Sequence, residues 1–414
     1  MRDLTGKLKH YFAYLVCVFK LVVAWFCVLF RRKQLYAMDL WIIQEKHTEA
    51  RDNGYHLFKY IRTVHPEINA YYSITKDSAD LGKVRQLGNV VIADSFRHYV
   101  YYLAAKNSIG SQKFGACPYP TDWVNRFRFL CRRDQKVIFL QHGILGNAAP
   151  GLAFEKTRFD LFVVSAQREY DFVRHELRYP VGRVQLLGLC RFDNLLNANS
   201  THRQILIMPT FRSYLSAKAR ERDATEGECA RFMQSDFYKN YYELLSDERL
   251  LNVLHEQKYK IIFYMHYSLQ AYTKCFAELE GEDVLIADRA GYDVQTLLME
   301  SDVLVTDYSS IFFDFAYMKK PEAFFQFDQE TFRKKHYDVG YFDHSKDGFG
   351  PVFTDRSDLV DFLIGQVRMG CVMEKEYERK VDAFFYFHDQ QNCMRNFSAI
   401  EGLNQDEQRK ESIT

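Results

Sequence analysis

The chain has 414 residues, and its 55 Lys and Arg residues are balanced by 54 Asp and Glu residues. This length fits two domains better than one ordinary core, and a net charge near zero excludes bulk electrostatic attraction to nucleic acid. The nine cysteines form no CxxC pair and no metal-ligand spacing, which favours free thiols in a reducing compartment over disulfides or a zinc site.

The chain begins with an apolar segment, residues 11–30, that only Lys20 interrupts. Its length permits a membrane-spanning helix, although basic residues flank both of its ends, which disfavours a span. On a helix, Lys9, Lys20 and Arg31 fall nearly on one line. We therefore predict that residues 1–35 form a helix lying in the membrane interface, with this basic stripe toward anionic head groups. A true span and a buried core helix remain the alternatives.

Residues 36–200 alternate predicted strands and helices, a pattern typical of an α/β domain. Short apolar runs predict strands at 40–43, 70–74, 90–92, 136–140, 161–164 and 184–187. The spacing of apolar residues predicts helices over 55–64 and 98–105. A polar stretch at 197–202 is typical of a link between domains.

Residues 201–370 repeat the pattern and form a second predicted domain, followed by a closing helix and tail at 371–414. The predicted strands are 204–208, 259–265, 284–287, 303–305 and 323–326. The predicted helices are 237–257, 294–299, 358–369 and 375–387. Two such sets indicate two α/β domains with largely parallel sheets. Ligands in these folds bind at the carboxyl ends of strands, and with two domains they bind in the cleft between them.

Four polar motifs stand directly after predicted strands, at the sheet edges where a ligand is expected. They are Gln141-His142-Gly143, Pro209-Thr210-Phe211-Arg212, His266, and Thr306-Asp307-Tyr308-Ser309-Ser310. A single such coincidence carries little weight. Four of them together predict a binding site in the cleft.

The last motif predicts a phosphate site. Ser309 and Ser310 stand where a helix begins, so their hydroxyl and backbone N–H groups lie at a positive helix end. Arg212 adds a planar fork of donors that suits phosphate oxygens. The competing interpretation is an ordinary capped helix. We assign Asp307 to the ordering of its own turn and Asp314 to a structural role.

Two histidines are candidates for proton transfer. His142 precedes Gly143 and Gly146, which leave room for a ligand, and it can act as a general base near neutral pH. His266 can neutralise or protonate a leaving phosphate. The alternative for each is a hydrogen-bonded histidine of the core or rim. The sequence contains no GxxxxGK[ST] loop and no GxGxxG motif after a strand, so P-loop and dinucleotide chemistry are unsupported.

These motifs resemble the CDP-glycerol glycerophosphotransferase family, the teichoic-acid and capsule polymerases that move glycerol phosphate or ribitol phosphate from a CDP-alditol. The resemblance covers about residues 38–370. It rests on Glu49–Lys59, Gln141-His142-Gly143, Pro209–Arg212, Ser301–Ala316, and Tyr341–Asp343 through Gly350-Pro351. It implies a GT-B fold of two Rossmann-like domains with a cleft between them. The sequence departs from the family at Phe211, where Trp is frequent, and at Tyr267, where proline commonly follows the histidine.

The resemblance also implies roles for individual residues. The implied catalytic residues are His142 and His266. The implied substrate-binding residues are Asn53, Gly143, Thr210, Arg212, Thr306, Asp307, Ser309 and Ser310. The expected reaction begins when His142 deprotonates an acceptor hydroxyl, which attacks the phosphorus of CDP-glycerol nearest the glycerol and releases CMP.

The expected partners follow from this reaction. CDP-glycerol or CDP-ribitol is the donor, a lipid-linked or polymeric molecule is the acceptor, and residues 1–35 contact the membrane surface. No tightly bound cofactor, metal cluster or nucleic acid is predicted; a loosely bound Mg²⁺ ion and a homo-oligomer are both compatible with the sequence. The expected location is the cytoplasmic face of the cell membrane, peripheral or N-terminally anchored. The alternatives are a CDP-ribitol transferase, another GT-B nucleotide-sugar glycosyltransferase and a non-catalytic scaffold.

Overall fold

A computed structural model describes the backbone of residues 2–197, 202–215, 223–335 and 340–411, and the side chains of residues 14–197, 202–215, 223–332 and 340–405. The chain forms two parallel β-sheets with helices on both faces of each. Such sheets need strands that are apolar on both sides.

The first sheet has seven strands in the order β3-β2-β1-β4-β5-β6-β7. They are β1 (Trp41–Gln44), β2 (Ala70–Ile74), β3 (Val90–Ile92), β4 (Asn107–Gly110), β5 (Lys136–Phe139), β6 (Leu161–Val164) and β7 (Val184–Leu186). The second sheet has six strands in the order β10-β9-β8-β11-β12-β13. They are β8 (Gln204–Ile207), β9 (Lys260–Tyr264), β10 (Val284–Ala287), β11 (Val303–Thr306), β12 (Glu322–Phe325) and β13 (Val352–Phe353).

Helices pack on both sheets, and helices are also the first and last elements of the described chain. In the first part of the chain they are α1 (Arg2–Phe30), α2 (Arg32–Ala37), α3 (Asn53–Val64), α4 (Leu81–Gln86), α5 (Phe96–Ala104), α6 (Thr121–Val124), α7 (Phe154–Thr157), α8 (Gln167–His175) and α9 (Phe192–Leu195). In the second part they are α10 (Glu226–Met233), α11 (Asp236–Leu245), α12 (Glu248–Gln257), α13 (Val294–Glu300), α14 (Ile311–Tyr317), α15 (Gln329–Lys335), α16 (His344–Asp347), α17 (Arg356–Met369), α18 (Lys375–Phe384) and α19 (Asn392–Glu411). Short 3₁₀ turns occur at Asn125–Leu130, Pro150–Leu152 and Gln270–Leu279.

The prediction of two Rossmann-like domains with parallel sheets is confirmed: every strand pair in both sheets is parallel. Two strands were not predicted. β4 lies in the centre of the first sheet, yet its sequence Asn-Ser-Ile-Gly contains a single β-branched apolar residue. β13 has only two residues and lies at an edge of the second sheet. Neither one carries the apolar run by which a buried strand is recognised.

Helix α1 packs one face against α5 of the first domain. Leu21, Ala24 and Val28 are buried in this contact. Lys20 lies on the same side, where its Nζ donates to the carbonyl oxygen of Asp94 at 2.9 Å. The predicted orientation of the basic stripe toward head groups is therefore wrong for Lys20, because the adjacent domain supplies an acceptor for the ammonium group. The side chain of Lys9 lies outside the described residues.

The opposite face of α1 is apolar and exposed. Leu15, Phe19, Phe26 and Phe30 lie along it at helical spacing and are 46–87% exposed with their neighbour Leu29. Among the residues that the structure describes, no helix is long and apolar enough to cross a membrane.

The last helix, α19, returns from the second domain to the first and packs against α3. The ring of Phe397 stacks on His65 with centroids 4.0 Å apart and lies 5.7 Å from Trp41. Asp193 caps the helix, since its two carboxylate oxygens accept the N–H groups of Asn392 and Cys393, each at 2.8 Å. The core of the first domain therefore includes residues from the end of the chain.

Candidate active site

His142 lies directly after β5, on a loop that enters the cleft between the domains. The preceding residue, Gln141, adopts a left-handed conformation with φ of 60°, which is unusual for a residue with a side chain. Its Nε2 donates to Oε1 of Glu169 at 3.1 Å, and the same carboxylate accepts the N–H of Leu145 at 2.8 Å. Glu169 thus holds both ends of the loop. Burial raises the pKa of Glu169 to about 7.

The imidazole of His142 reaches solvent on one side and is otherwise enclosed by protein. This enclosure lowers its pKa; the carboxylate of Asp52 opposes the change, while Arg191 and Lys46 add to it. The imidazole is therefore neutral at pH 7. A neutral imidazole at a strand end can accept a proton from a hydroxyl group.

The two domains meet where His142 is followed by Gly143. A Cβ atom on Gly143 would come within 3.0 Å of the Ser310 Oγ atom across the cleft. Ser310 occupies the N-cap position of α14, and the Oγ of Ser309 accepts the N–H of Ile311 at 3.4 Å. The structure therefore brings the predicted base and the predicted phosphate-binding turn together.

The other residues of this turn have internal partners. Asp307 is buried, and its Oδ1 accepts the backbone N–H of Thr210 at 2.8 Å and that of Tyr308 at 2.6 Å. The hydroxyl of Thr306 donates to the carbonyl oxygen of Met208 at 2.8 Å. These contacts join the strand ends of β8 and β11 and fix the shape of the turn.

Arg212 does not face the cleft, which contradicts its assignment as a fork for phosphate oxygens. The side chain is fully buried, with Nη1 2.8 Å from Asp307 and Nε 2.7 Å from Asp328. Its Nη2 donates to Asp328 at 3.0 Å and its Nη1 to the carbonyl oxygen of Thr210 at 2.6 Å. Three rings surround the guanidinium, those of Phe237, Tyr308 and Phe332. The two carboxylates compete for the donors that a phosphate would need, so Arg212 supports the turn from beneath.

His266 lies directly after β9, at the strand-end position that the sequence predicts. Its ring stacks on Phe211 with centroids 4.7 Å apart, and its Nδ1 accepts the N–H of Ser268 at 3.2 Å. The proton of a neutral ring is then on Nε2. The neighbouring Tyr267 is exposed, and the centroid of its ring lies 5.1 Å from Nζ of Lys46 in the first domain. This contact is a second point at which the domains approach each other.

Asn53 is also buried rather than open to a ligand, contrary to its assignment as a substrate-binding residue. Its Nδ2 donates to the carbonyl oxygen of Gln141 at 2.8 Å, and its Oδ1 accepts the N–H of Arg191 at 3.0 Å. Asn53 therefore fastens the loop of His142 to the chain that follows β7.

Three charged residues at the domain boundary were not predicted as part of the site. The guanidinium of Arg191 donates to both oxygens of Asp314 at 2.6 and 2.7 Å, to Asp52 at 2.6 Å and to the carbonyl oxygen of His142 at 2.9 Å. Arg191 follows β7 closely, so the rule that locates ligands at strand ends could have drawn attention to it. Its pairing with Asp314 has no local sequence signal.

Within the described ranges, no group of three His, Cys, Asp or Glu side chains could hold a metal ion. The charged side chains at the domain boundary are Arg191, Asp52 and Asp314. These three residues fix loops, and the two histidines can take part in proton transfer.

Comparison with known proteins gives three findings. A family model described as CDP-glycerol:poly(glycerophosphate) glycerophosphotransferase matches residues 26–402. The minor teichoic acid biosynthesis protein GgaB of Bacillus subtilis is 31% identical over 371 residues, which are 87% of this chain and 39% of that protein. The teichoic acid poly(glycerol phosphate) polymerase of Staphylococcus epidermidis is 28% identical over 355 residues, 81% of this chain and 46% of that protein. The chain thus spans less than half the length of these two relatives.

A solved structure of the wall teichoic acid polymerase TagF shares the fold. It superposes with a TM-score of 0.64 at 18% identity, covering 95% of this chain and 99% of that one. The GT-B-like arrangement of two parallel-sheet domains is therefore common to both.

Proposed function

Since the chain belongs to the CDP-glycerol:poly(glycerophosphate) glycerophosphotransferase family, we propose that it transfers glycerol phosphate from CDP-glycerol to a hydroxyl group of a polymeric or membrane-linked acceptor. The observation that carries the proposal is the close approach of Gly143, the residue after His142, to Ser310 across the cleft. The candidate base of one domain is therefore adjacent in sequence to the residue that approaches the candidate phosphate-binding turn of the other.

In the proposed step, Nε2 or Nδ1 of His142 takes the proton of the acceptor hydroxyl. The hydroxyl oxygen forms a bond to the phosphorus nearest the glycerol, and the bond from that phosphorus to the bridging oxygen of the pyrophosphate breaks. CMP leaves with the electron pair of the broken bond. Ser309 and Ser310 stabilise the negative charge through hydroxyl and backbone N–H groups, and His266 donates a hydrogen bond from Nε2 to the departing phosphate.

Release of nucleotide from alternative donors tests this proposal. The purified protein is incubated with a glycerol-phosphate primer and with CDP-glycerol, CDP-ribitol or a nucleotide sugar in parallel. We expect CMP and an extended primer with CDP-glycerol. Release only from CDP-ribitol would reassign the alditol, release only from a nucleotide sugar would make the protein a glycosyltransferase, and no release with any donor would favour a non-catalytic scaffold.

The acid limb of the pH profile gives a second test. Because the pKa of His142 lies below its ordinary value of 6.5, we expect kcat/KM to hold through neutral pH and to fall with a midpoint below 6.5. The base acts only when unprotonated, and a lowered pKa delays its protonation as the pH falls. Initial rates of CMP release at constant ionic strength provide the measurement. A midpoint above 6.5 would contradict a role for His142 as the base.

We also propose that the exposed apolar face of α1 lies on the cytoplasmic surface of the cell membrane. Its four large side chains, Leu15, Phe19, Phe26 and Phe30, are exposed along a single line, and burial of such a stripe in the acyl boundary is favourable. The basic residues Arg32 and Lys33 just after its end are exposed and can face anionic head groups. An acceptor attached to lipid would share this surface with the cleft.

We expect the paired substitution Phe19→Ser and Phe26→Ser to weaken binding to vesicles of phosphatidylglycerol and phosphatidylethanolamine on the order of a hundredfold, because each Phe contributes about 1.5 kcal/mol when buried. Co-sedimentation with vesicles measures the affinity. Met369→Ser is the control, since Met369 is 68% exposed at the end of α17. Equal binding by the pair and the wild type would rule out this face as the contact.

A further inference from the structure

Arg191 joins three segments that are far apart in the chain. The residue is 7% exposed, and its guanidinium contacts Asp52 before α3, the carbonyl oxygen of His142 after β5, and Asp314 on α14. The contact with Asp314 uses two parallel N–H groups at 2.6 and 2.7 Å, the bidentate geometry that fixes a guanidinium most firmly.

The main chain of Arg191 is held as well. Its N–H donates to Oδ1 of Asn53 at 3.0 Å, and its carbonyl oxygen accepts from Nε2 of Gln295 at 3.3 Å. Gln295 in turn pairs with Nε2 of His56 through its Oε1 at 3.0 Å. Both domains therefore contribute to the position of this residue, which is more support than a surface ion pair receives.

Asp314 links Arg191 to the helix that begins at the candidate phosphate-binding turn. It lies on α14 four residues after Ser310, the residue that meets Gly143 across the cleft. A short rigid path thus runs from the Ser309–Ser310 turn through Asp314 and Arg191 to the carbonyl oxygen of His142.

We propose that Arg191 is a positioning residue: anchored to Asp314, it holds the loop of His142 at a fixed distance from the Ser309–Ser310 turn and so sets the alignment of base and donor phosphate. This inference rests on the proposed function for its catalytic meaning. A displacement of about 1 Å between reacting groups costs on the order of a hundredfold in rate, so such an anchor affects turnover without touching substrate.

The charges around His142 allow this role to be separated from simple structural support. The charged groups that face its ring are Asp52 before α3, Arg191 after β7 and Lys46 after β1, and the backbone of Ser111 after β4 contributes a hydrogen bond. Replacing Arg191 by an uncharged residue removes a cation and leaves Asp52 unpaired. Both changes raise the pKa of His142.

A matched pair of substitutions tests the alignment. Arg191→Lys keeps the charge but loses the bidentate contact, and Arg395→Lys breaks a comparable bidentate pair with Asp389, at 2.9 and 2.8 Å, outside the contacts of His142. We expect Arg191→Lys to lower kcat by about ten- to a hundredfold with the KM for CDP-glycerol within about twofold. Arg395→Lys should lower Tm by less, because the side chain of Asp389 is 40% exposed, and should leave kcat within about twofold. Equal kcat values for the two variants would overturn the proposal.

A measurement made without substrate distinguishes a failure of this proposal from a failure of the proposed function. The imidazole of His142 is titrated by NMR in histidine-labelled protein, with its resonance identified by its loss in His142→Ala. We expect Arg191→Gln to raise the titration midpoint by roughly half a unit or more and Arg191→Lys to leave it near the wild-type value. An unchanged midpoint in Arg191→Gln would refute control of His142 by Arg191. Failure of the wild type to release CMP, with the midpoint shifted as expected, would refute only the proposed reaction.

Discussion

His142→Ala is expected to slow the release of CMP from CDP-glycerol by about a hundred- to ten-thousandfold, the range that a general base contributes. The loss should appear in kcat, since the base acts in the step that makes the new bond and contributes little to binding of the donor. The fold should persist, because the imidazole reaches solvent and the loop is held by Glu169 and by Arg191 through backbone groups. Rates at saturating CDP-glycerol and the thermal midpoint of unfolding measure the two expectations together.

His255→Ala is the control for loss of a histidine, since the side chain of His255 is 64% exposed on α12 and pairs only weakly with Asp283 at 3.5 Å. It should retain the wild-type rate. Turnover by His142→Ala within about threefold of the wild type would remove His142 from the chemistry. His266 would then be the remaining imidazole of the predicted site that could accept the proton.

Arg212→Ala is expected to have the largest effect on stability, a loss of about 3–5 kcal/mol, because it leaves Asp307 and Asp328 unpaired beneath the turn. For a domain of this size the loss corresponds to a decrease of about 10 °C in the midpoint of thermal unfolding. The aromatic rings that surround the guanidinium would also lose packing. Thermal and urea unfolding of the purified variant provide the measurement.

Arg249→Ala supplies the matched control, since Arg249 pairs with Asp361 at 2.9 Å where both side chains are more than half exposed. Such surface pairs contribute less than about 1 kcal/mol. If Arg212→Ala were as stable as Arg249→Ala, the guanidinium would not be the support of the turn. Its earlier interpretation as a ligand for phosphate would then regain weight.

The positions of most strands along the chain, and of the polar motifs that follow them, could be predicted because both depend on the local sequence. A run such as Val303–Val305 is apolar on both faces, and a polar turn after it must lie at the carboxyl edge of a parallel sheet. The same rule predicts His142, His266 and Ser310 at the carboxyl edges of the two sheets. It needs no knowledge of which side chains meet.

The partners of charged side chains could not be predicted, because they depend on segments distant in sequence. Arg212 is separated from Asp328 by 116 residues and Arg191 from Asp314 by 123. A guanidinium after a strand suits a phosphate as well as it suits a buried carboxylate. Only the positions of Asp328 and Asp314 in space decide between these uses.

The orientation of helix α1 could not be predicted from the sequence either. The spacing of Lys20 and Arg31 shows that they share one side of a helix, but periodicity does not reveal which side meets the rest of the protein. Here the domain takes the side of Lys20 because Asp94 presents a carbonyl oxygen to its ammonium group. The apolar face, which would ordinarily be buried, is left outside.

The packing of α19 on the first domain has a consequence for how the protein folds during its synthesis on the ribosome. Chains are synthesised from the N-terminus at about 5–20 residues per second, so Phe397 emerges long after Trp41 and α3, against which it packs. The apolar surface that α19 covers stays open while the whole second domain is being made. The first domain therefore completes its core only after the whole second domain has been synthesised, and a nascent chain held before residue 392 would expose an apolar surface to chaperones.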